Sequence, residues 1–77
     1  MNKRELVVKS KYEALGWKVL RNGAPDFICL KVDPNGEITD VLAVEVKSPT
    51  DAMRYEQEVY KKLLAWANVE YRVEVVP

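Results

Sequence analysis

The stretch Pro25-Asp26-Phe27-Ile28-Cys29-Leu30-Lys31-Val32-Asp33-Pro34-Asn35-Gly36, continued by Glu37-Ile38-Thr39-Asp40-Val41-Leu42-Ala43-Val44-Glu45-Val46-Lys47, decides the fold. Two apolar, β-branched runs, Asp26 to Val32 and Val41 to Lys47, flank a turn-forming tetrapeptide, the pattern of a β-hairpin. With Asn35-Gly36 as the central pair of a type I′ turn, Pro34 faces Glu37, Lys31 faces Asp40 and Asp26 faces Glu45. Directly opposed residues share a face, with Cβ atoms about 4.5–5.5 Å apart. Lys47, two residues beyond Glu45, shares that face. Two carboxylates so placed repel by on the order of 3 kcal/mol at about 5 Å and an effective dielectric near 20. Either a cation sits between them, or one carboxyl titrates, or the register differs. A slip of one residue sends Asp26 to the other face, and a slip of two puts Ala43 or Lys47 opposite it.

Outward from the hairpin, residues 4–15 read as a helix with Val8, Tyr12 and Leu15 on one stripe, stopped by Gly16. Trp17 to Leu20 is a short strand, and residues 21–25 are a loop. After the hairpin, Pro49 with Thr50 or Asp51 opens a second helix running to about Ala67. Its apolar face is broad: Met53, Val59, Tyr60, Leu63, Leu64 and Trp66. A last strand runs from about Glu70 to Val76. The order α-β-β-β-α-β predicts one α/β domain over residues 1–77. Its core is a mixed four-stranded sheet with two flanking helices, one on each side or both on one face.

Composition removes much chemistry. There is no histidine, so imidazole bases, Ser-His or Cys-His catalysis and His-bearing zinc sites are excluded. A single cysteine, Cys29, rules out an internal disulfide and sits in an apolar run as a buried small hydrophobe. Carboxylates, lysine, hydroxyls or a carboxylate-bound metal remain. No run of about 18 apolar residues exists to span a membrane. The first residues lack a signal-peptide core, so a cytosolic location is expected. Net charge is zero, yet residues 1–21 carry six basic side chains against Glu5 and Glu13. Residues 22–60 carry eight acids against Lys31, Lys47 and Arg54. That asymmetry sets a basic surface beside an acidic site, or reflects ordinary solvated helix faces. A 77-residue chain buries only about 60% of its unfolded surface, so a second copy or a partner would relieve a marginal fold.

Three further residues have two readings each. Glu5 falls within about 60° of Val8 and about 20° of Tyr12 around the first helix, so it either snorkels outward or reaches the carboxylate pair. Gln57 shares a face with Met53, Tyr60 and Leu64 and is a surface amide or a site residue. Lys47 is a solvated strand-end charge unless the two acids lie on its face.

Pro25-Asp26, a hairpin, and then Glu45-Val46-Lys47 resemble the signature of the PD-(D/E)XK nuclease superfamily. Gly23-Ala24-Pro25-Asp26-Phe27-Ile28, then Val44-Glu45-Val46-Lys47-Ser48, then Gln57 and a valine-rich closing strand are similar to VRR-NUC domains, the virus-type replication-repair nucleases. Archaeal Holliday junction resolvases are the next resemblance. The likeness covers about Glu5 to Val76. It departs in lacking any extra DNA-binding element and in ending the second helix on Ala67-Asn68, where such domains often carry glycine.

This resemblance implies a restriction-endonuclease-like αβββαβ core and metal-dependent hydrolysis of phosphodiester bonds in DNA, with Mg²⁺ or Mn²⁺ as cofactor. Asp26, Glu45 and the backbone carbonyl of Val46 would bind the metal, with Glu5 assisting. Lys47 would orient the attacking water and steady charge on the phosphate, and Gln57 would organise the site. Branched DNA such as a Holliday junction, in replication, recombination or repair, is the implied substrate. A homodimer is the implied assembly. Independently of the resemblance, the second helix (Tyr55, Val59, Leu63, Trp66), whose apolar face is wider than one small sheet covers, and the last strand are its candidate surfaces. The competing readings are a non-catalytic nucleic-acid-binding module and a protein-interaction module on the same fold.

Overall fold

A computed structural model describes all residues, 1–77. The elements are α1 (Lys3–Ala14), β1 (Lys18–Arg21), β2 (Phe27–Val32), β3 (Ile38–Lys47), α2 (Tyr55–Trp66) and β4 (Glu70–Val75). They form one four-stranded sheet in the order β1-β2-β3-β4. The first two pairings are antiparallel, and β4 lies parallel to β3 after the α2 crossover. The predicted element order and mixed sheet are observed. No helix is long and apolar enough to cross a membrane.

Strand alternation sorts the sheet residues onto two faces. Phe27, Cys29, Leu42 and Val44 bury against Val8 and Tyr12 of α1, with Trp17, Val19, Val46 and Val76 packed around them. Ala43, Glu45 and Lys47 point to the opposite face, where Gln57 of α2 reaches them. The helices therefore lie one on each side. Cys29 is buried and unpaired, as the apolar run around it predicts. Leu15 departs from the predicted stripe. It is the C-cap of α1 and exposed, because Gly16 (φ +92°) turns the chain away there. The N–H groups of Gly16 and Trp17 close the helix on Glu13 and Tyr12 carbonyls.

The hairpin turn differs from the expectation in a way that cancels. Only Gly36 has positive φ (+86°), so Asp33-Pro34-Asn35-Gly36 is not a two-residue type I′ loop. The Gly36 N–H bonds the Asp33 carbonyl, and the Asp33 side chain accepts the N–H groups of Asn35 and Glu37. This is the turn with a glycine bulge that three-residue hairpin loops favour. Asp33, not Pro34, then faces Glu37 through its N–H bond to the Glu37 carbonyl. One unpaired residue, Thr39, next interrupts β3 between the pairs Val32–Ile38 and Lys31–Asp40. This second one-residue shift opposes the first, and pairing from Lys31–Asp40 to Phe27–Val44 follows the predicted register.

The second helix starts later than Pro49-Thr50-Asp51 predicts. Those residues make their own turn, in which the Asp51 carboxylate accepts the Ser48 N–H and the Asp51 N–H bonds the Ser48 carbonyl. The helix begins only where Gln57 reaches back to accept the Arg54 N–H at 2.8 Å. At its far end Asn68 takes the left-handed conformation (φ +59°), with N–H bonds from Asn68 to Ala65 and from Val69 to Leu64. Asn tolerates that conformation better than other non-glycine residues. Asn68→Gly is expected to raise unfolding free energy by a few tenths to about 1 kcal/mol, and Asn68→Val to lower it by about 1–2 kcal/mol, measured by urea unfolding.

Candidate active site

The loop before β2 fixes Asp26 at both ends. Its carbonyl accepts the N–H of Asn22 at 2.8 Å, and Pro25 beside it is buried. The β2–β3 ladder stops at Phe27–Val44. Just beyond it, the N–H of Val46 donates to Asp26 Oδ2 at 2.8 Å. The carboxylate is thus pinned beside the strand that carries Glu45 and Lys47.

Glu45 is 3% exposed and Lys47 7% exposed, an unusual depth for ionisable side chains in so small a protein. They form no ion pair with each other. Gln57 joins them instead: its Nε2 donates to Glu45 Oε1 at 2.6 Å, and its Oε1 accepts from Lys47 Nζ at 2.6 Å. Only this amide orientation works, because a lysine can only donate and a carboxylate only accept. Lys47 Nζ also donates to the Ala52 carbonyl at 3.3 Å, tying the turn before α2 to the site.

One oxygen of each acid is left over. Glu45 Oε2 is buried without a hydrogen-bond partner, and Asp26 bonds only through Oδ2. Burial, then the neighbouring charge of Asp26, pushes the Glu45 carboxyl up to about 7, with Lys47 opposing. Tyr71 on β4, paired with Ala43, brings a phenol to the same face. Its hydroxyl is also buried and unpartnered. Burial and the charges of Glu45 and Asp26 push that phenol up to about 12.

The cleft over these groups has a volume of about 270 Å³ and is lined by Gly23, Ala24, Asp26, Glu45, Arg54, Glu56 and Gln57. Sequence reasoning missed Tyr71, Arg54 and Glu56. Tyr71 was within reach only through the alternation Tyr71-Val73-Val75 on a strand whose register the sequence leaves open. Arg54 and Glu56 precede Gln57 at the N-cap and first turn of α2, a placement that the earlier helix start expected from sequence hides. Glu5 does not join the carboxylate pair. It sits at the third position of α1, exchanging hydrogen bonds with Asn2 in a capping box, and does not line the cleft. No group of three or more acids, cysteines or histidines is assembled anywhere, so the acidic donors are Asp26 and Glu45 alone. Val46 lies between Glu45 and Lys47, with its N–H committed to Asp26.

A hard divalent cation fits this donor set. Two carboxylate oxygens lack partners, one of them in a buried position where leaving it bare is costly, and oxygen ligands are what such cations take. No protein-family model, curated protein or solved structure matches the chain.

Two outcomes follow. The Glu45 carboxyl stands near 7 in the folded chain and near 4.5 when unfolded. The folded state therefore holds an extra proton between those values, and stability falls as pH rises through that window. In metal-free protein, urea unfolding should show Glu45 contributing a loss of at most about 3 kcal/mol from pH 4.5 to 7.5, absent from Glu45→Gln. Tyr71→Phe removes a hydroxyl that has no partner, so its unfolding free energy should stay level or rise by up to about 1 kcal/mol.

Proposed function

We propose that this chain is a metal-dependent deoxyribonuclease of the PD-(D/E)XK type, most similar to VRR-NUC domains, acting on branched DNA such as four-way junctions. The observation that carries this reading is the buried, unpartnered Glu45 Oε2 beside Asp26, with Lys47 held on the same face. Such an arrangement is expensive for a fold that uses it only as a scaffold. Like charges so close destabilise a sheet, whereas a cation between them converts repulsion into binding.

Asp26 and Glu45 would hold Mg²⁺ or Mn²⁺ through their free oxygens, with the Val46 carbonyl as the expected backbone ligand. When bound, the cation supplies Lewis-acid stabilisation of charge developing on the phosphodiester. The chain's own residues do the rest. The Lys47 ammonium is held by Gln57 Oε1 and the Ala52 carbonyl on the Glu45 side of the sheet, so one of its three protons is left for a ligand without reorganisation. There it orients the attacking water and offsets charge on a phosphate oxygen. Gln57 keeps Lys47 from collapsing onto Glu45, which leaves the carboxylate available to a cation. Arg54 at the cleft wall adds a positive charge for the DNA backbone.

The test is cleavage of a four-way junction, linear duplex and plasmid DNA with Mg²⁺ or Mn²⁺. Wild type should cut only with metal and should prefer the junction. Glu45→Ala and Lys47→Ala should each lose at least about 100-fold in turnover while DNA affinity changes little. Metal-activated cleavage that both variants retain would refute the site assignment. DNA binding without cleavage under either metal would support a non-catalytic binding module instead.

A further inference from the structure

Only two buried side-chain polar atoms lack a hydrogen-bond partner, Glu45 Oε2 and the Tyr71 hydroxyl oxygen. They share one face of the sheet. β4 runs parallel to β3 with Val73 opposite Glu45 and Tyr71 opposite Ala43, so Tyr71 is the diagonal neighbour of Glu45. Diagonal neighbours on one face lie within reach of an aromatic side chain, and Ala43 is too small to fill the space beside the ring. Besides burial, the charges that act on the phenol are those of Glu45 and then Asp26. Yet Tyr71 does not line the cleft, whereas Asp26, Glu45 and Gln57 do. It approaches Glu45 from the β4 side and not through the cleft. A tyrosine kept only for packing has no use for its hydroxyl. Phenylalanine would fill the same space without leaving a buried donor bare, which is costly.

We propose that Tyr71 is a positioning residue for the cation site, its phenol O–H donating to Glu45 Oε2 when the Glu45 carboxylate holds a divalent cation. The inference rests on the nuclease reading and adds a residue to it. A carboxylate can accept about four bonds, two at each oxygen. Gln57 occupies Oε1 of Glu45. With a cation on the cleft side, Oε2 keeps a second lone pair, and Tyr71 carries the one buried side-chain donor in the chain that has no partner at all. A phenol keeps its proton at neutral pH, so this donor is always ready. Bringing the two atoms together takes rotation of the Glu45 carboxyl about its last torsion, which is broad and soft. Once Gln57 holds one oxygen and Tyr71 the other, that rotation stops. The two holders come from α2 and β4, consecutive elements that pack on each other. Carboxylates that ligate metals are held by hydrogen bonds of their own, and losing such a partner weakens metal binding about 10–100-fold. Lys47 does not take this part, because its bonds run to Gln57 and Ala52. Tyr12 is buried on the opposite face, with its hydroxyl committed to Glu74.

The test compares wild type with Tyr71→Phe in the full chain. Without metal, circular dichroism and urea unfolding should show the variant folded and at least as stable as wild type. Titration calorimetry at neutral pH should then show Mn²⁺ binding weakened about 10-fold in the variant. A Mg²⁺ titration followed by near-ultraviolet difference absorbance reads the hydrogen bond itself. Wild type should give a tyrosine band that saturates with metal, and Tyr71→Phe should give none, because Tyr12 is engaged with Glu74 on the other face and Tyr55 and Tyr60 are exposed. Equal Mn²⁺ affinity in the two proteins overturns the proposal and leaves the cation site standing. So does a wild type that binds metal without the tyrosine band, since any loss in the variant is then a packing effect. A variant that is unfolded, or clearly less stable without metal, makes Tyr71 a structural residue and also overturns it. A wild type that binds neither cation refutes the nuclease reading itself, and the proposal with it.

Discussion

The register of the β2–β3 ladder, continued one step past its last pair by the Val46 N–H bond to Asp26, sets the carboxylates of Asp26 and Glu45 side by side, and much of the surrounding structure follows from that constraint. Left alone, the pair opposes folding: one acid is buried, the other is pinned by a backbone N–H, and their charges repel. The chain accommodates them in three ways. The Val46 N–H bonds Asp26 Oδ2, Glu45 is driven toward its protonated form, and Gln57 supplies a donor to Glu45. None of these satisfies Glu45 Oε2 or the Tyr71 hydroxyl. A structure selected for stability alone would replace this cluster with apolar side chains, as buried charged groups often can be without loss.

Gln57 links that site to the outer face of the protein. It closes the start of α2, accepts from Lys47 and donates to Glu45 with a single amide. The site geometry therefore depends on where α2 sits, yet α2 buries little against its own sheet. Only ten residues of the chain are buried, so the protein has little core to spare for holding the helix.

How much of this the sequence reveals depends on the distance over which each feature is determined. The hairpin register was legible because alternation over seven residues on either side constrains it strongly. The turn itself was read wrongly, and Thr39 restored the register that the Asp33–Gly36 turn had shifted. Element order, Val8, Tyr12 and the Asp26–Glu45–Lys47 grouping all rest on local periodicity and were readable. The start of α2 was not, because the Asp51 side chain captures the Ser48 N–H and diverts the chain into a turn before any helix forms. Glu5 looked poised for the site by helical angle, but its carboxylate is engaged three residues back with Asn2. Tyr71 was invisible for a different reason. Its place depends on how a parallel strand aligns across a crossover, which no local pattern specifies.

The central claim is that Asp26 and Glu45 form a cation site. Anomalous scattering from a crystal grown with Mn²⁺ tests it most directly. The account predicts one strong peak within coordinating distance of Glu45 Oε2 and the free oxygen of Asp26, about 2.0–2.3 Å from each, and no peak there in Asp26→Asn. A wild-type crystal with no peak at the pair, or with manganese bound only elsewhere, would contradict it.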